Sequence, residues 1–135
     1  MPSDSSPFKK LTPNLLVANV ERSLAFYEDV LGFARGMTVP EQSPFVFASV
    51  TGGAVEIFLN DAATAIKEYP GFAGKPIGNS GTMYIEVQGI DALHDRLKNR
   101  ATVVIPIATQ FYGMREFAIQ DPDSYVITFA ERATG

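Results

Sequence analysis

Cysteine and tryptophan are absent from this chain, and histidine occurs once. Without cysteine there is no disulfide, no thiolate metal site and no thiol nucleophile. The compartment stays open on that ground, because a cysteine-free chain tolerates any redox environment. No apolar run approaches the roughly 18 residues that a membrane-crossing helix needs. Met1 to Lys10 is polar, with Pro2, Asp4 and three serines, and lacks the apolar segment of a signal peptide. It reads as a frayed leader on a cytoplasmic protein. Eleven Lys and Arg against fifteen Asp and Glu give a net charge of −4, and Lys9-Lys10 is the only adjacent basic pair. A nucleic-acid surface concentrates positive charge along one face. Neither nucleic acid nor membrane is therefore an expected partner.

What the chain does have is a core. Its 135 residues are 46% hydrophobic, enough for one domain spanning residues 1–135. The elements fall into two similar halves. Leu11 to Val17 reads as a strand. Asn19 then caps a helix over about Glu21 to Leu31, which Gly32 stops. Strands at Pro44 to Val50 and Ala54 to Leu59 join across Gly52-Gly53, and Asp61 to Tyr69 reads as a short helix. A connector rich in Pro and Gly follows, from Pro70 to Gly81. The order then returns: strand Thr82 to Val87, helix Ile90 to Arg100, strand Thr102 to Ile107, and a hairpin of Arg115 to Gln120 with Tyr125 to Ala130 across Asp121-Pro122-Asp123-Ser124. A half of this size buries too little by itself, so the two should share a core.

Strand side chains alternate faces. Leu15 and Val17, Val55, Ile57 and Leu59, Met83, Ile85 and Val87, and Ile127 and Phe129 form apolar sets suited to packing under the helices, and Phe45 and Phe47 are expected to join them. The opposite sets mix Thr12, Asn14, Glu56, Phe58, Thr82, Tyr84, Glu86 and Thr128. A plain solvent face of an antiparallel sheet carries more Lys, Arg and Glu. This one reads either as a ligand cleft or as a half-exposed face covered by a partner chain.

Three stretches resemble the vicinal oxygen chelate superfamily, which holds glyoxalases, extradiol dioxygenases and bleomycin-resistance proteins. They are Thr12 through Phe33, with its Pro-Asn-Leu opening and the Ser-Leu-Ala-Phe-Tyr helix; Gly53-Ala-Val-Glu-Ile-Phe58; and Arg115 through Phe129, with Gln-Asp-Pro-Asp at its turn. The resemblance covers nearly the whole chain. It implies an α+β fold of two βαβββ modules, about residues 8–69 and 80–132, whose curved mixed sheets enclose a cleft, usually in a homodimer. In metal-dependent relatives four strand positions supply the ligands, and these align with Thr12, Glu56, Thr82 and Thr128. Threonine hydroxyls are poor ligands for Zn²⁺, Ni²⁺ or Fe²⁺, so no metal and no cofactor is expected. His94, beside Asp95, Arg96 and Lys98, reads as a solvated surface residue.

Within the superfamily, Pro13 to Leu15 and the missing metal ligands resemble the bleomycin-resistance branch. That branch sequesters a drug in a groove between subunits without chemistry. The expected function is the same: holding an organic ligand, a cation being one option, through Asn14, Glu56, Phe58, Tyr84, Glu86, Phe111, Tyr112, Arg115 and Glu116. Bleomycin-resistance proteins often carry Trp-Gly where Phe111-Tyr112-Gly113 stands here, which puts bleomycin itself in question. Aromatic side chains of this set suit stacking on a planar ligand, although core packing for Phe111 and a dimer contact for Tyr112 are alternatives. The carboxylates suit either an acidic lining or acid–base work. The rival function is thus a glyoxalase- or dioxygenase-like lyase or isomerase, metal-dependent or with Glu56 or Glu116 as general base. A structural dimer with a vestigial cleft is the third class. Ser23, with no base near it in sequence, and the Asp121-Pro122-Asp123 turn are given no catalytic role.

Overall fold

A computed structural model describes residues 6–134. Its first module runs β1 (Asn14–Val17), α1 (Val20–Ala25), β2 (Ala34–Val39), β3 (Phe47–Gly52) and β4 (Val55–Asp61). Helix α2 (Ala62–Glu68) and a 3₁₀ turn, Pro70–Phe72, lead into the connector. The second module runs β5 (Thr82–Glu86), α3 (Ile90–Leu97), β6 (Thr102–Thr109), β7 (Met114–Gln120) and β8 (Val126–Arg132). Each module forms a four-stranded sheet, ordered β1-β4-β3-β2 and β5-β8-β7-β6. The opening strand pairs in parallel with the closing one, and the remaining pairs are antiparallel. This is the βαβββ repeat that the family resemblance implies. The expectation of a frayed leader falls partly on residues 1–5, which lie outside the described residues. Ser6 to Lys10 carry no regular structure.

Local chemistry explains the element ends. The Asn19 side chain accepts from the Arg22 amide at 2.8 Å and starts α1. The helix continues as a π-helical turn, Phe26–Val30. That wider turn lets the neighbours Phe26 and Tyr27, and then Val30 and Leu31, all pack against the core. Gly32, at φ +77°, reverses the chain behind it. Asp61 caps α2 through the Thr64 amide and hydroxyl. Helix α3 starts on Gly89 without a side-chain cap of its own. Glu131 of β8 supplies the missing acceptors, taking the amides of Gly89 and Ile90 at 3.0 Å each.

Two expectations are corrected. Strand β2 carries no pattern signal, because nearly every residue in it is exposed and Gly36 interrupts it. A β-carbon on Gly36 would come within 2.4 Å of the Ser49 hydroxyl, which accepts from the Met37 amide and would have to turn away. Phe47 is not a helix-side residue. Strand β3 begins at Phe47, so the alternation does not extend back to Phe45. Phe47 registers with Asn60 and packs edge-on against Phe58 at 5.2 Å, on the face away from the helices.

One cluster of buried apolar side chains spans both modules, with Leu24, Tyr27, Ile57 and Leu59 from the first and Leu97, Phe117, Ile119 and Ile127 from the second. Buried polar contacts fasten α1 to the β7–β8 turn. Tyr27 Oη donates to Asp121 Oδ2 at 2.9 Å, Arg22 reaches Asp123 at 2.8 Å, and Ser23, fully buried, donates to Asp123 at 3.4 Å. The backbone amide of Ala18 also donates to Asp123.

Candidate functional site

The strand faces turned away from the helices are set by register. On the first sheet they carry Asn14, Glu56, Phe58 and Asn60, with the Asn60 amide donating to the Asn14 side chain. On the second sheet one row across the strands runs Tyr84, Thr128, Ala118, Ile105, and the next runs Glu86, Ala130, Glu116, Ala108. Between the modules lies a cavity of about 420 Å³, lined among others by Leu11, Pro13, Glu56, Thr82, Tyr84 and Glu86.

Glu116 is the most enclosed carboxylate on this face, 7% exposed. Its two oxygens each accept from a phenol: Oε2 from Tyr84 and Oε1 from Tyr112 at 2.6 Å. The bond to Glu116, reinforced by partial burial and the carboxylate's charge, pushes the Tyr84 hydroxyl up to about 12, and the same causes raise Tyr112. Both phenols therefore stay protonated donors at neutral pH. Glu56 is held otherwise, by the Lys10 ammonium at 2.6 Å. Glu86 is exposed and, among the described residues, makes no side-chain hydrogen bond or ion pair.

Not all of the predicted site residues meet. Arg115 stands apart. It occupies the β7 face shared with Phe117 and Ile119, which turns toward α3, and its guanidinium grips Asp91 at 2.8 and 3.0 Å. That pairing raises the Arg115 guanidinium and lowers the Asp91 carboxyl from their ordinary values. Phe111 is 99% exposed at the β6–β7 turn, edge-on to Tyr112 at 5.1 Å, and takes no part in the core. His94 is not freely solvated: its side chain is 20% exposed and its ring stands edge-on to Phe117 at 5.0 Å. The sequence reading missed Lys10 as a partner of Glu56, since nothing local marks it. It also missed the two phenols converging on Glu116. Only the strand register brings Tyr84 to it, from two strands away.

The four positions aligned with metal ligands do not form a donor set. The Thr82 hydroxyl donates to the Val126 carbonyl at 3.1 Å and lies 2.7 Å from the Thr128 hydroxyl. With Glu56 bonded to Lys10 and Thr12 offering only a hydroxyl, no cluster of imidazole and carboxylate exists for a divalent transition metal. Among the described residues no group of three or more His, Cys, Asp or Glu is placed to hold an ion.

Comparison with known proteins places the fold. A bleomycin resistance protein from Geobacillus stearothermophilus is 29% identical over 130 residues, covering 89% of this chain and 94% of its own length. An antibiotic-binding protein from a Streptomyces species superposes with a TM-score of 0.74 at 20% identity, over 95% of this chain and 99% of that one. The bleomycin-binding protein of Streptomyces verticillus, solved with copper(II)-bleomycin, gives a TM-score of 0.65 at 22% identity, over 96% and 99%. At those identities the two structures establish a common fold. The sequence profile of the Glyoxalase/Bleomycin resistance protein/Dioxygenase superfamily matches residues 11–129, and the chain belongs to that superfamily.

Proposed function

We propose that this protein binds and sequesters a small organic molecule without transforming it, working as a homodimer in the cytoplasm. The observation that carries the reading is the cavity of about 420 Å³ between the modules, lined by the Tyr84 ring and the Glu56 and Glu86 carboxylates, with the Thr82 hydroxyl where a metal ligand would stand. A cavity of that size falls within the roughly 300–1,000 Å³ that small-molecule sites occupy. The relatives named for bleomycin resistance and antibiotic binding support the same reading. The enzyme alternative draws nothing from the two carboxylates proposed as bases, since Glu56 is paired with Lys10 and both oxygens of Glu116 accept from phenols. Dimerisation is supported by large apolar side chains left in water, Phe8 at 88%, Leu11 at 84% and Phe111 at 99% exposure. Among the described residues no helix is long and apolar enough to cross a membrane.

The test is elemental analysis of freshly purified protein together with a thermal-shift screen against metal-free bleomycin and planar cationic drugs. A ligand that binds only the folded state must raise the melting temperature. The expected result is a metal-free protein stabilised by at least one compound. Tyr84→Ala, at a half-exposed position, should abolish that shift while the ligand-free protein still folds, with a lowered urea midpoint because Glu116 loses one of its two donors. One tightly held divalent transition metal per chain would overturn the reading in favour of an enzyme.

A further inference from the structure

Tyr84 and Glu116 sit on strands separated by β8 and one row apart, so their Cα atoms are about 12 Å apart by strand spacing and rise. The hydrogen bond between them requires the tyrosine to lean along the sheet, over Thr128 and Ala130. Tyr112 approaches the same carboxylate from the β6–β7 turn. Beneath them Ala118 and Ala130 are fully buried and Thr128 is 8% exposed, although none of the three faces a helix. The rings above keep their own outer surfaces in water, Tyr84 being 53% and Tyr112 50% exposed. The result is a platform of two half-exposed phenols whose hydroxyls converge on one buried anion.

The hydrogen-bonding capacity of this platform is one-sided. Each phenol donates its single proton to Glu116, so what remains on both hydroxyls and on both carboxylate oxygens is acceptor capacity alone. No Lys, Arg or His among the described residues forms an ion pair with Glu116. A flat ring that stacked here while carrying only acceptors, or only methyl groups at its polar edge, would leave these atoms without donors on losing water. Resting on the ligand-binding reading proposed above, we infer that the Tyr84–Glu116–Tyr112 platform selects planar aromatic molecules bearing N–H donors, and that it discriminates by the donor and not by positive charge alone.

Two dyes of equal charge and closely similar ring area separate these terms: proflavine, an acridine cation with N–H groups, and 10-methylacridinium, a cation with none. Fluorescence titration of the full chain should give about tenfold tighter binding of proflavine, the effect of one good charge-assisted hydrogen bond. Glu116→Gln should bring the ratio close to one. Asp95→Asn, which removes the same charge from the exposed face of α3, should leave it intact. Tyr112→Phe is the second variant, at a half-exposed position whose change leaves the fold standing, and it should lower the ratio in part. Equal binding of both dyes by the unaltered protein, or a ratio unmoved in both Glu116→Gln and Tyr112→Phe, overturns the inference and leaves ligand binding in place. Binding of neither dye, and of nothing in the thermal-shift screen, overturns both.

Discussion

The two closing hairpins occupy the same place in their modules and live in opposite surroundings. The β3–β4 turn, at Gly53-Ala54, is exposed, and a β-carbon built on Gly53 meets no atom within 4 Å. The β7–β8 turn is buried at Asp121 and Asp123 and receives α1, the Ala18 amide and the connector. The helices differ in step with the turns. Helix α1 is fastened across the module boundary to the second module's turn, whereas α3 is held within its own module by Glu131 and by the Arg115–Asp91 pair. A repeat of elements therefore does not imply a repeat of roles. One hairpin ends in a free turn; the other joins the halves and so sets how the two open faces stand beside the cavity.

A matched pair of glycines gives the largest expected contrast. Gly53 and Gly78 both lie in the left-handed region, at φ +56° and +85°. Alanine at either costs about 1–2 kcal/mol in backbone strain. At Gly78 the new β-carbon would also stand 2.0 Å from the Asp123 carbonyl oxygen, a backbone atom of the buried turn. Gly78→Ala should therefore destabilise by at least about 2 kcal/mol more than Gly53→Ala in urea unfolding. Equal losses would mean that the connector does not press on the turn.

Next in size is Asp123→Ala. It removes the acceptor of the Ala18 amide and the buried Ser23 hydroxyl, and the partner of Arg22. Because the Arg22 side chain is 51% exposed and can turn to water, its share is small. The expected loss is about 2–3 kcal/mol, most of it from donors left unsatisfied in the interior. Ala54→Ser, on the exposed turn of the other hairpin, should stay within about 0.5 kcal/mol. A comparable loss at both sites would erase the distinction between joining hairpin and free hairpin.

How much of this was legible follows from which contacts are local. Caps and reversals are, because Asn19 and Gly32 act within a few residues of themselves, although the first hairpin turns at Gly53-Ala54, one residue past the expected Gly52-Gly53. The faces of β1, β4, β5 and β8 were legible wherever a strand is regular and half-buried, as with Ile57 and Leu59 against Phe58. Strand β2 was not, since a strand exposed on both sides has no alternation to read. Phe47 was misplaced because a period of two was carried through 44–46, which are not strand. Arg115 does not share a face with Glu116, because adjacent strand residues point to opposite faces. In the sequence the aspartates of the β7–β8 turn read as turn chemistry alone. Their grip on α1 depends on side chains about a hundred positions earlier, which no local pattern reports.

The smallest effect sharpens the comparison through pH. Asp121 is raised above its ordinary value of 3.8, chiefly because burial disfavours the charged form, against hydrogen bonds from Tyr27 and the Tyr125 and Asp123 amides that favour it. The raised value sets the sign. Between the ordinary value and the higher folded one, the folded chain holds the Asp121 proton more than the unfolded chain does. The contribution of Asp121 to stability is therefore fully present below 3.8 and is lost as pH rises through the folded value. Asp121→Asn cannot ionise and keeps an oxygen for the Tyr125 and Asp123 amides, so it should fold. Its urea midpoint, measured against that of the unaltered protein across the acid range, should show the unaltered protein losing ground relative to the variant as pH rises through that window. A difference that stays flat, or that grows in favour of the unaltered protein, would mean that the hydrogen bonds outweigh burial at this turn. The joining hairpin would then be held by an anion at least as comfortable inside as in water, and the asymmetry between the two turns would rest on the ionised Asp121 together with the Asp123 contacts and the packing at Gly78.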